Sequence, residues 1–219
     1  MAGLLEGKVA IVTGGGKGLG KAFCFGMAKE GAKVVMAVHR LDEEATKAAK
    51  EMEAQGGYIL EVDVTKEEST QRMADETVKK FGQIDVLVNN AAYYYGVSRK
   101  SFYEISSEEF DRAMTVGVKG AWLCCKAIFP QMKKQGKGKI INLSSEVAFA
   151  PTKGMIHYVT SKAAIVGLTR TLAAELGQYN ICVNAVAPGL TDTPASRTIV
   201  NVEKFDVSRI PLGLSLIHI

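Results

Sequence analysis

The chain has 219 residues, enough for one sizeable α/β domain and too few for two comfortable ones. Its apolar fraction of 47% excludes a disordered polymer, and a formal charge of only +4 gives no reason to expect a nucleic-acid partner. No apolar run approaches the roughly 18 residues of a membrane span, and no signal peptide precedes Lys8, so a cytoplasmic protein without a membrane partner is expected.

Short apolar runs over 9–12, 34–38, 58–62, 84–88, 140–143 and 181–187 read as buried parallel strands. Amphipathic segments over 19–29, 43–55, 66–81, 107–134 and 157–178 read as the helices between them. Alternation of this regularity predicts an α/β fold, a doubly wound Rossmann-like parallel sheet. Directly after the first strand comes Thr13-Gly14-Gly15-Gly16-Lys17-Gly18-Leu19-Gly20. Alone it would pass for a flexible turn, but between a strand and a helix it suits a pyrophosphate, which the helix N-terminus would meet with unpaired N–H groups.

Further along, Ser106 and Glu109 form a capping box at the start of the fourth helix. Its apolar stripe runs through Phe110, Met114, Val118, Ala121, Cys125 and Ile128, and Pro130 is expected to bend its last turn. Lys133, Lys134, Lys137 and Lys139 gather where that helix ends, which suits the negative end of its dipole. Cys24, Cys124, Cys125 and Cys182 lie in segments read as buried and form no CxxC pair, so free thiols in a reducing compartment are expected. No histidine has metal-ligand spacing; His157 and His218 receive no role, and His39 is at most a bystander at an adenosine pocket.

On the last helix Tyr158 and Lys162 stand four residues apart and share a face. A lone pair of this kind is usually a surface contact, yet an ammonium beside a phenol would lower its pKa toward working pH. Ser145, thirteen residues upstream, falls just past the fifth strand, where parallel sheets open their ligand crevice.

Taken together, these residues resemble the short-chain dehydrogenase/reductase family. Residues 13–20 match its TGxxxGxG motif, and Asp63-Val64, Asn89-Asn90-Ala91, Ser145, Tyr158 with Lys162, Asn184 and Pro188-Gly189 follow in its order and spacing. The resemblance covers roughly residues 5–213 and implies a strand order of 3-2-1-4-5-6 in a single domain over 1–213. It also implies an NAD(P)-dependent enzyme interconverting a secondary alcohol and a ketone, acting on a small molecule and assembled as a homo-oligomer. By resemblance Tyr158 is the general acid/base, Ser145 orients the substrate oxygen, and Lys162 tunes Tyr158 and holds the nicotinamide ribose. Gly14, Lys17, Gly18, Leu19 and Gly20 would meet the phosphates, and Asp63 and Val64 the adenine. Asn90 and Ala91 would border the ribose, and Pro188, Gly189 and Thr191 the nicotinamide, while Asn89 would tie strands together.

Relatives that prefer NAD carry an acid at the end of the second strand, where this chain has Val38 followed by His39 and Arg40. Arg40 and Lys17 converging on a 2′-phosphate would favour NADP, with NAD possible through Asp42 at a ribose or if Arg40 only starts a solvated loop. Gly117 stands where the family places an asparagine that completes a proton relay, which keeps a non-catalytic dinucleotide-binding protein as the alternative. Ala92 replaces a glycine, and Tyr93, Tyr94 and Tyr95 either shape an aromatic substrate site or form a packing patch. Residues 214–219 correspond to the in-frame translation of a sequencing-adapter end, so the expectation is an adapter-derived tail and a missing seventh strand.

Overall fold

The computed structural model describes residues 3–97 and 99–201. The tail over 214–219 and the question of a seventh strand lie outside them. The strands are β1 (Val9–Thr13), β2 (Lys33–Val38), β3 (Tyr58–Glu61), β4 (Val86–Asn89), β5 (Gly138–Leu143) and β6 (Ile181–Val186). The helices are α1 (Gly18–Lys29), α2 (Glu43–Glu53), α3 (Glu67–Phe81), α4 (Ser107–Met114), α5 (Gly120–Gln135), α6 (Ile156–Leu176) and the short α7 (Pro194–Arg197).

All six strands pair in parallel in the order β3-β2-β1-β4-β5-β6, as expected. Side chains alternate along each strand and so feed two separate cores. Ile11, Val35, Leu87 and Ile140 pack with Met73 of α3 and Ile128 of α5 on one face. Ala10, Val12, Met36 and Val88 pack with Cys24 of α1 and Met52 of α2 on the other. Because the order reverses between β1 and β4, the loops that follow these two strands part and leave a crevice at their C-terminal ends.

The predicted long fourth helix is two helices joined by a π-helical turn over Thr115–Lys119, within which the Gly120 N–H reaches back to the Thr115 carbonyl. Such turns accommodate one extra residue and gather at functional sites. Gly117 lies buried in it, and Gly120 presses so closely on Val64 that a Cβ there would meet the valine side chain at 2.8 Å. Asn89 ties strands and helix together, donating from Nδ2 to Asn142 Oδ1 at 2.9 Å and to the Ala121 carbonyl at 3.3 Å.

Cys24, Cys124 and Cys125 are buried free thiols; burial holds Cys24 and Cys125 up at about 12. Cys182 corrects the expectation, for it is exposed and accepts a hydrogen bond from Lys139 Nζ at 3.1 Å. It lies on the outward-facing positions of β6, the last strand of the sheet among the described residues.

Candidate active site

A cleft of about 1680 Å³ runs over the C-terminal ends of the strands. Its lining includes every residue expected to bind a dinucleotide or act on substrate: Gly14, Lys17, Gly18, Leu19, Gly20, His39, Arg40, Asp63, Val64, Asn90, Ala91, Ser145, Tyr158, Lys162, Pro188, Gly189 and Thr191.

At the phosphate end the backbone is shaped for close approach. Gly14 adopts φ +65°, a conformation that side chains disfavour, and a Cβ on Gly20 would run into the Gly14 carbonyl. Helix α1 starts at Gly18 with no side-chain cap and no acidic residue in its first turn. Its first N–H groups are therefore available to an anion. A dinucleotide pyrophosphate fits this cradle.

Thr13 is a residue that sequence reasoning passed over. Its Oγ1 accepts from the N–H groups of Asn90 and Ala91, each at 3.1 Å, and donates to the Val88 carbonyl. Asn90 then donates from Nδ2 to the carbonyls of Thr13 at 2.9 Å and Gly14 at 3.1 Å. Its side-chain amide N–H groups are therefore engaged in holding the glycine-rich turn.

At the adenosine end, Lys17 and Arg40 line the same cleft, and Lys17 already has acidic partners. Its Nζ pairs with Asp42 at 2.7 Å and with Glu44 at 3.5 Å, and the hydrogen bond with Asp42 raises its pKa despite some burial. Asp42 is occupied twice over, since its Oδ1 also accepts from the Ala45 N–H and caps α2. Arg40 lines the cleft and has no ion pair among the described residues. Asp63 Oδ1 accepts from Thr65 N and Thr65 Oγ1 at 2.9 and 2.7 Å, which fixes the loop at the cleft's edge.

At the other end Ser145, Tyr158 and Lys162 meet. Ser144 fixes the junction of β5 and α6, its hydroxyl donating to the Lys162 carbonyl at 2.8 Å. Lys162 is buried, and its Nζ donates to the Leu143 carbonyl at 2.7 Å, lying 5.7 Å from the centre of the Tyr158 ring. Burial brings the Lys162 amine down to about 8. The Tyr158 phenol moves the opposite way from the expectation. Enclosure, and then the neighbouring Tyr94, push it well above its ordinary value; the Ser145 hydroxyl draws it back and Glu146 adds to the rise. An ammonium turned toward a backbone carbonyl in this way does not lower the phenol in the chain by itself.

Gly117 lies in the π-helical turn, which packs against α6. A Cβ there would lie 3.7 Å from Ser161, at ordinary contact distance, so the position has room for a side chain it lacks. Among the described residues no cluster of side chains could hold a metal, and no helix is long and apolar enough to cross a membrane.

The sequence matches the short chain dehydrogenase family over residues 8–204. It is 38% identical over 215 residues to a 3-oxoacyl-[acyl-carrier-protein] reductase of Thermotoga maritima, covering 95% of this chain and 85% of that protein. An uncharacterised oxidoreductase of Mycobacterium tuberculosis is 40% identical over 213 residues, covering 96% and 85%. Among solved structures, a 3-ketoacyl-(acyl-carrier-protein) reductase from Brucella melitensis complexed with NADH superposes with a TM-score of 0.89 at 32% identity, covering 97% and 86%. A 7α-hydroxysteroid dehydrogenase complexed with NADH and 7-oxo glycochenodeoxycholic acid gives 0.82 at 34% identity, covering 91% and 77%. Fold, motif order and these likenesses agree, and the chain belongs to the short-chain dehydrogenase/reductase family of oxidoreductases.

Proposed function

We propose that this protein interconverts a secondary alcohol and a ketone with an NAD(P) cofactor, using Tyr158 as general acid/base. The observation that carries the reading is that Ser145, Tyr158 and Lys162 open into the same cleft as the phosphate cradle of Gly14, Gly18 and Gly20. The relatives point the same way, since their names describe ketoacyl reductases and a hydroxysteroid dehydrogenase.

When bound, the cofactor supplies the hydride donor or acceptor. In reduction Tyr158 Oη gives its proton to the substrate oxygen, and in oxidation it takes one back. Enclosure of the phenol keeps it protonated, which suits the reductive direction. The Ser145 hydroxyl hydrogen-bonds and orients the substrate oxygen. Lys162 holds the ribose hydroxyls, and its amine, brought to about 8, can exchange a proton near neutral pH. Asp63 and Val64 border the adenine, Asn90 and Ala91 the ribose, and Pro188, Gly189 and Thr191 the nicotinamide.

NADP is the favoured cofactor, on the strength of Arg40 and of Val38 where an acid would repel a phosphate. Lys17, paired with Asp42 in the free chain, stands beside Arg40 as a second cation for the 2′-phosphate, and NAD is the alternative cofactor. The domain spans 1–213, the setting is cytoplasmic, and the whole protein works as a homo-oligomer. A dinucleotide-binding protein without turnover is the second reading, favoured by the missing side chain at Gly117.

The test is to mix the protein with NADPH or NADH and a panel of ketones and follow loss of the reduced nicotinamide. Oxidation that depends on both protein and ketone supports the enzyme. Binding of the cofactor without oxidation across the panel supports the second reading.

A further inference from the structure

Three consecutive tyrosines leave β4, and the fold gives each a different surrounding. Tyr95 is 61% exposed, with Lys17 Nζ 5.8 Å from its ring centre, at the phosphate end of the cleft. Tyr93 lies under the guanidinium of Arg112 at 4.4 Å. Tyr94 alone turns onto the reaction centre: its ring centroid is 5.0 Å from that of Tyr158, with the planes tilted by 45°.

Backbone hydrogen bonds anchor the loop that carries the ring. The Tyr94 carbonyl accepts from Val97 N–H at 3.2 Å, and the loop is tied down beyond it, where Lys100 N–H donates to the Gly154 carbonyl at 3.0 Å. Lys100 Nζ also pairs with Glu109 at 2.8 Å. The lining of the same cleft includes the apolar Val147, Pro151, Met155 and Ile199. A carbonyl that reaches Tyr158 Oη therefore comes close to the Tyr94 ring in a cleft that also has apolar lining.

Resting on the function proposed above, we infer that Tyr94 is a specificity-determining residue, forming an aromatic wall that selects flat, ring-bearing ketones over flexible linear ones. A planar substrate meets the ring by offset or edge-to-face contact, which adds to its apolar burial. A linear chain of equal size gains no such contact and loses more rotational freedom when it is immobilised.

Acetophenone and 2-octanone have the same number of carbons and differ in this respect. Their kcat/KM values with NADPH should be measured on the parent, Tyr94→Phe and Tyr94→Ala. The parent should favour acetophenone by about tenfold, the upper end for one aromatic contact. Tyr94→Phe should keep that preference. Tyr94→Ala should lose it, through a higher KM for acetophenone and little change for 2-octanone. An equal fall for both ketones would make Tyr94 a mere support for Tyr158 and overturn the inference, as would an unchanged preference. Bound NADPH with no turnover of either ketone would instead overturn the underlying functional reading.

Discussion

Replacing Lys162 with methionine should change stability in a way that depends on pH, and the dependence can be worked from burial. Lys162 is 6% exposed, and burial lowers its amine from 10.5 to about 8. Between those values the unfolded chain binds a proton that the folded chain does not. The group's contribution to stability is thus full above about 10.5 and is lost as pH falls through about 8. A gap of about 2.5 units corresponds to about 3 kcal/mol, of which about 2.5 kcal/mol develops between about pH 7 and pH 10. Methionine cannot titrate, so the variant lacks this slope. The lost hydrogen bond to the Leu143 carbonyl, worth about 1–2 kcal/mol, offsets the difference at every pH without tilting it. Urea unfolding of both proteins across that range gives the difference directly, and all other titrating groups cancel in the subtraction. The parent should gain on the variant by about 2.5 kcal/mol from about pH 7 to pH 10. A flat difference would refute the claim that this amine is buried and depressed.

Arg40→Ala should weaken NADPH binding at least about tenfold more than NADH binding, because only NADPH carries the extra phosphate; equal weakening in a fluorescence titration would remove Arg40 from the cofactor site. A Cβ at Gly117 would lie at ordinary contact distance from Ser161, and Gly117→Asn should raise turnover with Michaelis constants little changed. An unchanged rate would show that no proton relay is limited there. Gly20→Ala should abolish dinucleotide binding while leaving the sheet intact by circular dichroism, since its methyl would collide with the Gly14 carbonyl; retained binding would contradict the cradle.

Strand positions and the placement of the glycine-rich turn were legible because parallel strands buried on both faces read as continuous apolar runs, whereas strand order came only with the family resemblance. Tyr158 and Lys162 were legible for a similar reason, as a spacing of four on one helix is a local property. What the Lys162 amine does was not, because its partner is the Leu143 carbonyl on a strand nineteen residues away. Long-range partners also took Asn90 for the glycine-rich turn and Lys17 for Asp42, and neither pairing has a sequence signature. The three tyrosines are chemically identical in the sequence, and only the loop geometry separates Tyr94 from its neighbours. The π-helical turn interrupts a stripe whose period gave no warning, and Cys182 faces outward because alternation on β6 puts it there.

The central claim is that Tyr158 exchanges the proton during hydride transfer. Single-turnover reduction of a ketone by the NADPH-loaded protein should therefore be followed for the parent and for Tyr158→Phe. Cofactor affinity should stay close to the parent's and the rate should be at least about 100-fold lower, the low end for lost acid/base catalysis. A rate within a few-fold of the parent, at equal cofactor occupancy, would contradict it.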